Sequence, residues 1–146
     1  MNFEHYDIHY GNQRTTFEFT SVGVKGRITK VIQLSSTNLN HLYNLGFGDK
    51  NEQTGEVDDK VITNNGDAPK VLATVALSVI AFTKEHPDAV IYAIGSTLSR
   101  TRLYQMGIAR QLTAISEYFY VYGLFENEWE EFVTNKNYQA FLVKRK

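Results

Sequence analysis

Two stretches of this chain carry the side chains that could do chemistry. The first, residues 91–112, reads IYAIGSTLSRTRLYQMGIARQL. An apolar run ends in Gly95-Ser96-Thr97, which offers two hydroxyls on flexible backbone, and Arg100, Arg102 and Tyr104 follow on a helix-like pattern. With Arg100 as the zero of a helical wheel, Tyr104 falls at about 40°, Leu103 at about 300° and Arg102 at about 200°. The apolar face, made by Leu103, Tyr104, Gly107, Ile108, Leu112 and Ile115, centres at about 20°. Arg100 and Tyr104 therefore share the inward side, and Arg102 points away. An inward guanidinium must meet an anion, supplied by the protein or by a ligand. The spacing predicts either an anion pocket of Ser96, Thr97 and Arg100, or an internal pair of Arg100 with Asp58 or Asp59 under a capped helix. Tyr104 reads as a core tyrosine or as a proton donor.

The second stretch is TNNGDA, residues 63–68, which feeds a helix. Free N–H groups and the positive dipole end make a helix N-terminus an anion site. Asn65, Gly66, Asp67 and Lys70 are its candidate ligand contacts. Asp67 also supports a second reading, a turn followed by an N-cap: a carboxylate capping the helix occupies those N–H groups and repels a phosphate. A Walker loop is excluded, because Lys70 is followed by Val71.

Other chemistries find little support. The chain has no cysteine, which excludes disulfides, thiolate metal sites and cysteine nucleophiles. On one strand, His5 and His9 would stand roughly 13 Å apart, too far for a single metal ion. No GxSxG elbow is present. Tyr118, Tyr120 and Tyr122 alternate without interleaved basic residues, so they read as a core-facing or partner-facing aromatic ladder before a base-stacking sheet.

The elements that must position these residues follow from periodicity. The 146 residues suit one domain, residues 1–146, with a real core. Residues 3–10, 14–22 and 27–34 alternate between turn signals and predict a meander of antiparallel strands. A short strand or turn is expected at 43–48, a polar loop at 49–56 and another strand at 57–62. A helix capped by Asp67 runs through Phe82 and ends at His86-Pro87-Asp88. Residues 89–94 form a continuous apolar run, a central strand. A second helix begins after Thr97, with Ser99 as the competing cap. Residues 118–123 read as a strand, ENEWEEF as a polar helical turn or loop, and YQAFLVKR as a last strand. The expected class is α+β or α/β: a mixed, mostly antiparallel sheet packed with two main helices. The net charge of −1 gives no global argument for nucleic acid or an anionic membrane. No signal peptide or membrane span is legible, so a cytoplasmic protein is expected.

Taken together, NLGFGD, TNNGD, KVLATV, GST, RTRLYQMGI and NYQAFLVKRK resemble an uncharacterised domain family of Bacteroidetes genomes. That resemblance implies a bacterial, single-domain, cytoplasmic protein without assigned activity. The order loop, helix, strand, SRTRLYQMGI helix, strand is similar to the latter half of GNAT acyltransferases. In those enzymes an Arg/Gln-x-x-Gly-x-Gly/Ala loop holds the CoA pyrophosphate, and a later Leu-Tyr supplies a general acid. The likeness implies acetyl-CoA at Asn65, Gly66 and Asp67, with Tyr104 protonating the departing thiolate. Thr63, Asp67 and Arg102 depart from that pattern. The expectation is a binding or regulatory module for an anionic ligand or partner, including a nucleotide or nucleic acid, at the Ser96–Tyr104 corner. It carries no metal and no certain cofactor. The alternatives are an acyltransferase and a protein-interaction module using residues 118–122.

Overall fold

Strict alternation in the first half yields long strands that return on themselves. The computed structural model describes residues 4–11, 15–58 and 64–146. Strands β1 (His9–Tyr10), β2 (Thr16–Gly23), β3 (Gly26–Ser36) and β4 (Leu42–Lys50) form an antiparallel meander. Strand β5 (Val57–Asp58) folds back on β4, and helix α1 (Ala68–Glu85) follows. The chain continues through β6 (Val90–Ala93), α2 (Leu98–Arg110), α3 (Leu112–Tyr118), β7 (Phe119–Phe125), β8 (Glu128–Glu131) and β9 (Phe141–Arg145). The nine strands make one sheet in the order β1-β2-β3-β4-β6-β9-β7-β8, with β5 on β4. Among the described residues the one parallel pairing is β4 with β6, and α1 is its crossover. The fold is the expected α+β architecture, with β6 central in the sheet.

Register decides which side chains meet the helices. Phe17 pairs with Ile32, Ile32 with Phe47, and Leu34 with Leu45, so these residues share one face. Ile91, Val143 and Val121 continue that face across β6, β9 and β7. Val71, Val75, Val79 and Phe82 of α1 bury against it. The buried hydroxyls of Thr74, Ser78 and Thr83 donate to carbonyls four residues back, at 2.7, 3.0 and 2.8 Å, so they are satisfied within the helix. At the helix crossing, a Cβ on Gly107 of α2 would stand 3.0 Å from Leu72 of α1.

Several expected elements differ. Residues 4–8 are not strand: Tyr6 leaves the sheet, stacks on Phe19 at 5.6 Å and donates its N–H to the Thr74 hydroxyl at 2.9 Å. Strand β4 runs on through Asp49 and Lys50, because β3 and β5 both pair there. The expected strand at 57–62 is present as β5, and residues 59–62 lie outside the described residues. The second helix breaks at Gln111, so Leu112 and Ile115 belong to α3. The stretch ENEWEEF is no helical turn. Glu126 (φ 50°) and Asn127 (φ 66°) form a two-residue hairpin turn, and alternation carries β8 back along β7. The tyrosine ladder divides: Tyr118 ends α3 and packs against the core, while Tyr120 and Tyr122 lie on the open face of the sheet, 53% and 37% exposed.

One charge sits inside this core. Lys30 is 1% exposed on the helix-facing side of β3 and is paired with Asp49 of β4. Replacing it by Lys30→Met removes the cation from a desolvated carboxylate, which costs about 3–5 kcal/mol. A urea titration of that variant should show the loss; a change below about 1 kcal/mol would mean that the Asp49 carboxylate reaches water.

Candidate functional site

One edge of β4 is shared by two neighbours. Leu42 to Leu45 pair with β6, whereas Asp49 and Lys50 pair with β5. Residues 46–48 lie outside both pairings. The two parallel strands therefore part at their carboxyl ends. Such crevices are where ligands lie in open sheets with parallel strands. Beyond Ala93 the chain turns through Gly95 into α2. A Cβ on Gly95 would stand 2.3 Å from the Thr101 amide nitrogen, so glycine is what allows this strand end to pass the first turn of α2. Thr97, not Ser99, caps the helix: its hydroxyl accepts from the Arg100 N–H at 3.3 Å.

A cavity of about 120 Å³ lies beside Phe47, in the stretch of β4 that pairs with neither β5 nor β6. Lys30 and Phe47 line it from the sheet, Asn64, Asn65 and Asp67 from the loop, and Arg100, Leu103 and Tyr104 from α2. The two stretches singled out in the sequence thus converge on one space, although 35 positions separate Asn65 from Arg100. Arg100 is half-buried and gives one Nη1 hydrogen bond to Ser96 Oγ at 2.8 Å. It makes no ion pair with a described carboxylate, Asp58 included; Asp59 lies outside the described residues. Arg102 is exposed, as its helical phase requires. Tyr104 is 8% exposed against the core.

Asp67 stands at the N-cap position of α1, but its side chain makes no capping bond. Tyr6 and Ser21 each donate a hydroxyl to its Oδ2 at 2.6 Å and turn the carboxylate toward β2. Two charge-assisted bonds outcompete one cap. The expectation that Asp67 occupies the helix N–H groups is therefore corrected. Asn65 is 2% exposed and fully used by the protein: its amide gives bonds to Ser21 Oγ and the Gly26 carbonyl and accepts from Lys25 N–H. Gly66, with φ 78°, makes the turn. Ser96 and Thr97 are exposed and support Arg100 and the cap without lining the cavity. Lys70 points elsewhere, 3.5 Å from Glu4 and 4.2 Å above the Tyr6 ring. Lys30 was not among the candidates, yet a signal existed: Ile28, Lys30, Ile32 and Leu34 alternate onto one face, and a lysine there is anomalous.

A polar cluster holds α2 in place from the far side. The Gln105 carboxamide accepts from the Tyr138 N–H at 2.8 Å and donates to the Lys136 carbonyl. Tyr138 in turn donates its hydroxyl to Glu130 at 2.9 Å, and Lys136 pairs with Glu130 at 2.8 Å. A Cβ on Gly123 would stand 2.3 Å from the Tyr138 ring, so the bare backbone of β7 makes room for it.

A family model matches residues 2–146, essentially the whole chain. The chain belongs to the family of unknown function DUF6934. The expected membership in an uncharacterised family is met. No curated protein and no solved structure significantly matches this DUF6934 chain. Among its described residues no helix is long and apolar enough to cross a membrane, and no group of three or more His, Cys, Asp or Glu side chains stands together as a metal site.

The cluster behind α2 has a pH signature. The hydrogen bond from Lys136, then that from Tyr138, holds the Glu130 carboxyl below its ordinary 4.5. A carboxylate with a lowered folded-state pKa stabilises above its unfolded value and loses that contribution as pH falls through the folded one. The difference in unfolding free energy between the wild type and Glu130→Gln should be constant above pH 4.5 and shrink steadily below it. Denaturant titrations across that range test this; a difference that grows on acidification would contradict the assignment.

Proposed function

We propose that this protein is a binding module for a small anionic ligand, held in the cavity between Phe47, the loop before α1 and the first turns of α2. The observation that carries the reading is Arg100: a half-buried guanidinium on the cavity wall, bonded to a neutral serine and to no described carboxylate. A guanidinium at a cavity wall that meets a hydroxyl and no described carboxylate suits an anion brought from outside. Asp67 supports this by its orientation. Its charge is held by Tyr6 and Ser21 and leaves the first turn of α1 without a side-chain cap. Ser96 supports it by fixing the guanidinium on α2. Substituting Arg100→Ala should weaken the anion about tenfold to a hundredfold, the range of one charge-assisted hydrogen bond, with the fold retained. The check is a titration with inorganic phosphate and short carboxylates, followed by amide NMR. If Arg100→Ala unfolds the domain, the arginine serves the fold and the reading fails.

A second reading has its own support. The order of loop, helix, strand, helix and strand that resembles GNAT acyltransferases is present as residues 64–67, α1, β6, α2 and β7, with α3 inserted before β7. Asn65, Gly66 and Asp67 would lie along the CoA pyrophosphate. Tyr104, lining the same cavity, would protonate the thiolate that leaves. Acetyl-CoA at millimolar concentration should then shift the amides of Gly66, Lys70 and Tyr104. Silence at those three positions removes the transferase and leaves the anion site untouched.

A further inference from the structure

We propose that the ligand is an amphiphile, with an acidic head at Arg100 and a short hydrocarbon chain lodged behind Tyr104. The inference rests on the anion reading of the cleft and adds the chemistry of the rest of the molecule. A second cavity of about 90 Å³ lies between the helices and the sheet. It shares two wall residues, Leu72 and Tyr104, with the polar cleft. Beyond Tyr104 and Gln111, only apolar side chains and the backbone of Gly107 line it; Leu45 and Ile91 form its floor and Val79 and Ile115 close it above. A buried water needs two to four polar partners, which such walls do not provide. Close-packed cores hold few voids larger than a water, so this one is a standing loss of contacts that a hydrocarbon chain would restore.

The two chambers differ in chemistry as the two ends of an amphiphile do. The outer one holds the Arg100 cation, while its other charges are engaged: Lys30 with Asp49, and Asp67 with two hydroxyls. The inner one is apolar. Tyr104 stands at the boundary, 8% exposed, with its ring on the inner side of α2 by helical phase. A carboxylate on Arg100 therefore directs its alkyl chain past Tyr104 and Leu72 into the dry chamber.

The test uses the full chain and straight-chain carboxylates from acetate to decanoate, titrated by calorimetry. Affinity should rise about fourfold per methylene, the equivalent of ~0.8 kcal/mol per buried CH₂, and level off once the chamber is full. Ala76→Phe and Ile115→Phe, each filling the inner chamber, should cancel the gain with length and leave acetate unchanged. Arg100→Ala should weaken every member by the same factor. Should both filled variants fail to fold, NOEs from the terminal methyl of bound octanoate to Ile115 and Val79 of the wild type give the same answer. Affinity independent of chain length, a gain that survives filling, or absent NOEs overturns the amphiphile. In those cases Arg100-dependent phosphate binding keeps the anion site standing. If neither phosphate nor any carboxylate binds, both readings fall.

Discussion

The whole arrangement depends on how one edge of β4 is divided. A strand of nine residues offers that edge to β6 over its first four and to β5 over its last two. Backbone groups must be paired, and an edge given to β5 cannot also be given to β6. The parallel pair is therefore short, and the chain leaving β6 turns away into α2 at once. The cavity beside Phe47 is walled by the loop before α1, the first turns of α1 and α2, and the inward side chains of β3 and β4.

Around that space the protein fixes its charges with unusual care. Lys30 and Asp49 are joined inside the core. Asp67 is held by Tyr6, which precedes β1, and by Ser21 of β2. Asn65 ties the loop to the β2–β3 hairpin through its amide, and its carbonyl accepts the Val24 N–H at 3.2 Å. Gln105 anchors α2 on its outer side through Lys136 and Tyr138. Asn65 and Gln105 thus tie residue 65 of the loop and α2 to the body of the fold.

Much of this was legible in the residues. The alternation of β2 and β3, the 3.6-residue period of α1 and the apolar run of β6 dictate their elements, because each pattern has one way to bury its apolar side. Helical phase alone separated Arg100 and Tyr104 from Arg102. Other features were hidden for physical reasons. The β7–β8 hairpin turns on Glu126-Asn127, a pair without the glycine that announces such turns, so alternation in a short acidic segment was the only cue. Tyr6 precedes β1 and has its partners, Thr74 and Asp67, more than sixty residues away. Asp67 looked like a cap because capping is local, and it was drawn off by hydroxyls that only the tertiary fold delivers.

The sequence by itself determined the class of fold, the order of its main elements and the two stretches worth suspecting, since periodicity, capping and helical phase are short-range properties. Only the tertiary structure decided that the two stretches face one cavity, that Lys30 lines it, and that a second, apolar cavity lies beyond Tyr104. Those facts depend on which strands share an edge and on how closely two helices pass at Gly107 and Leu72. Such contacts are set by long-range register and packing, and no local pattern encodes them.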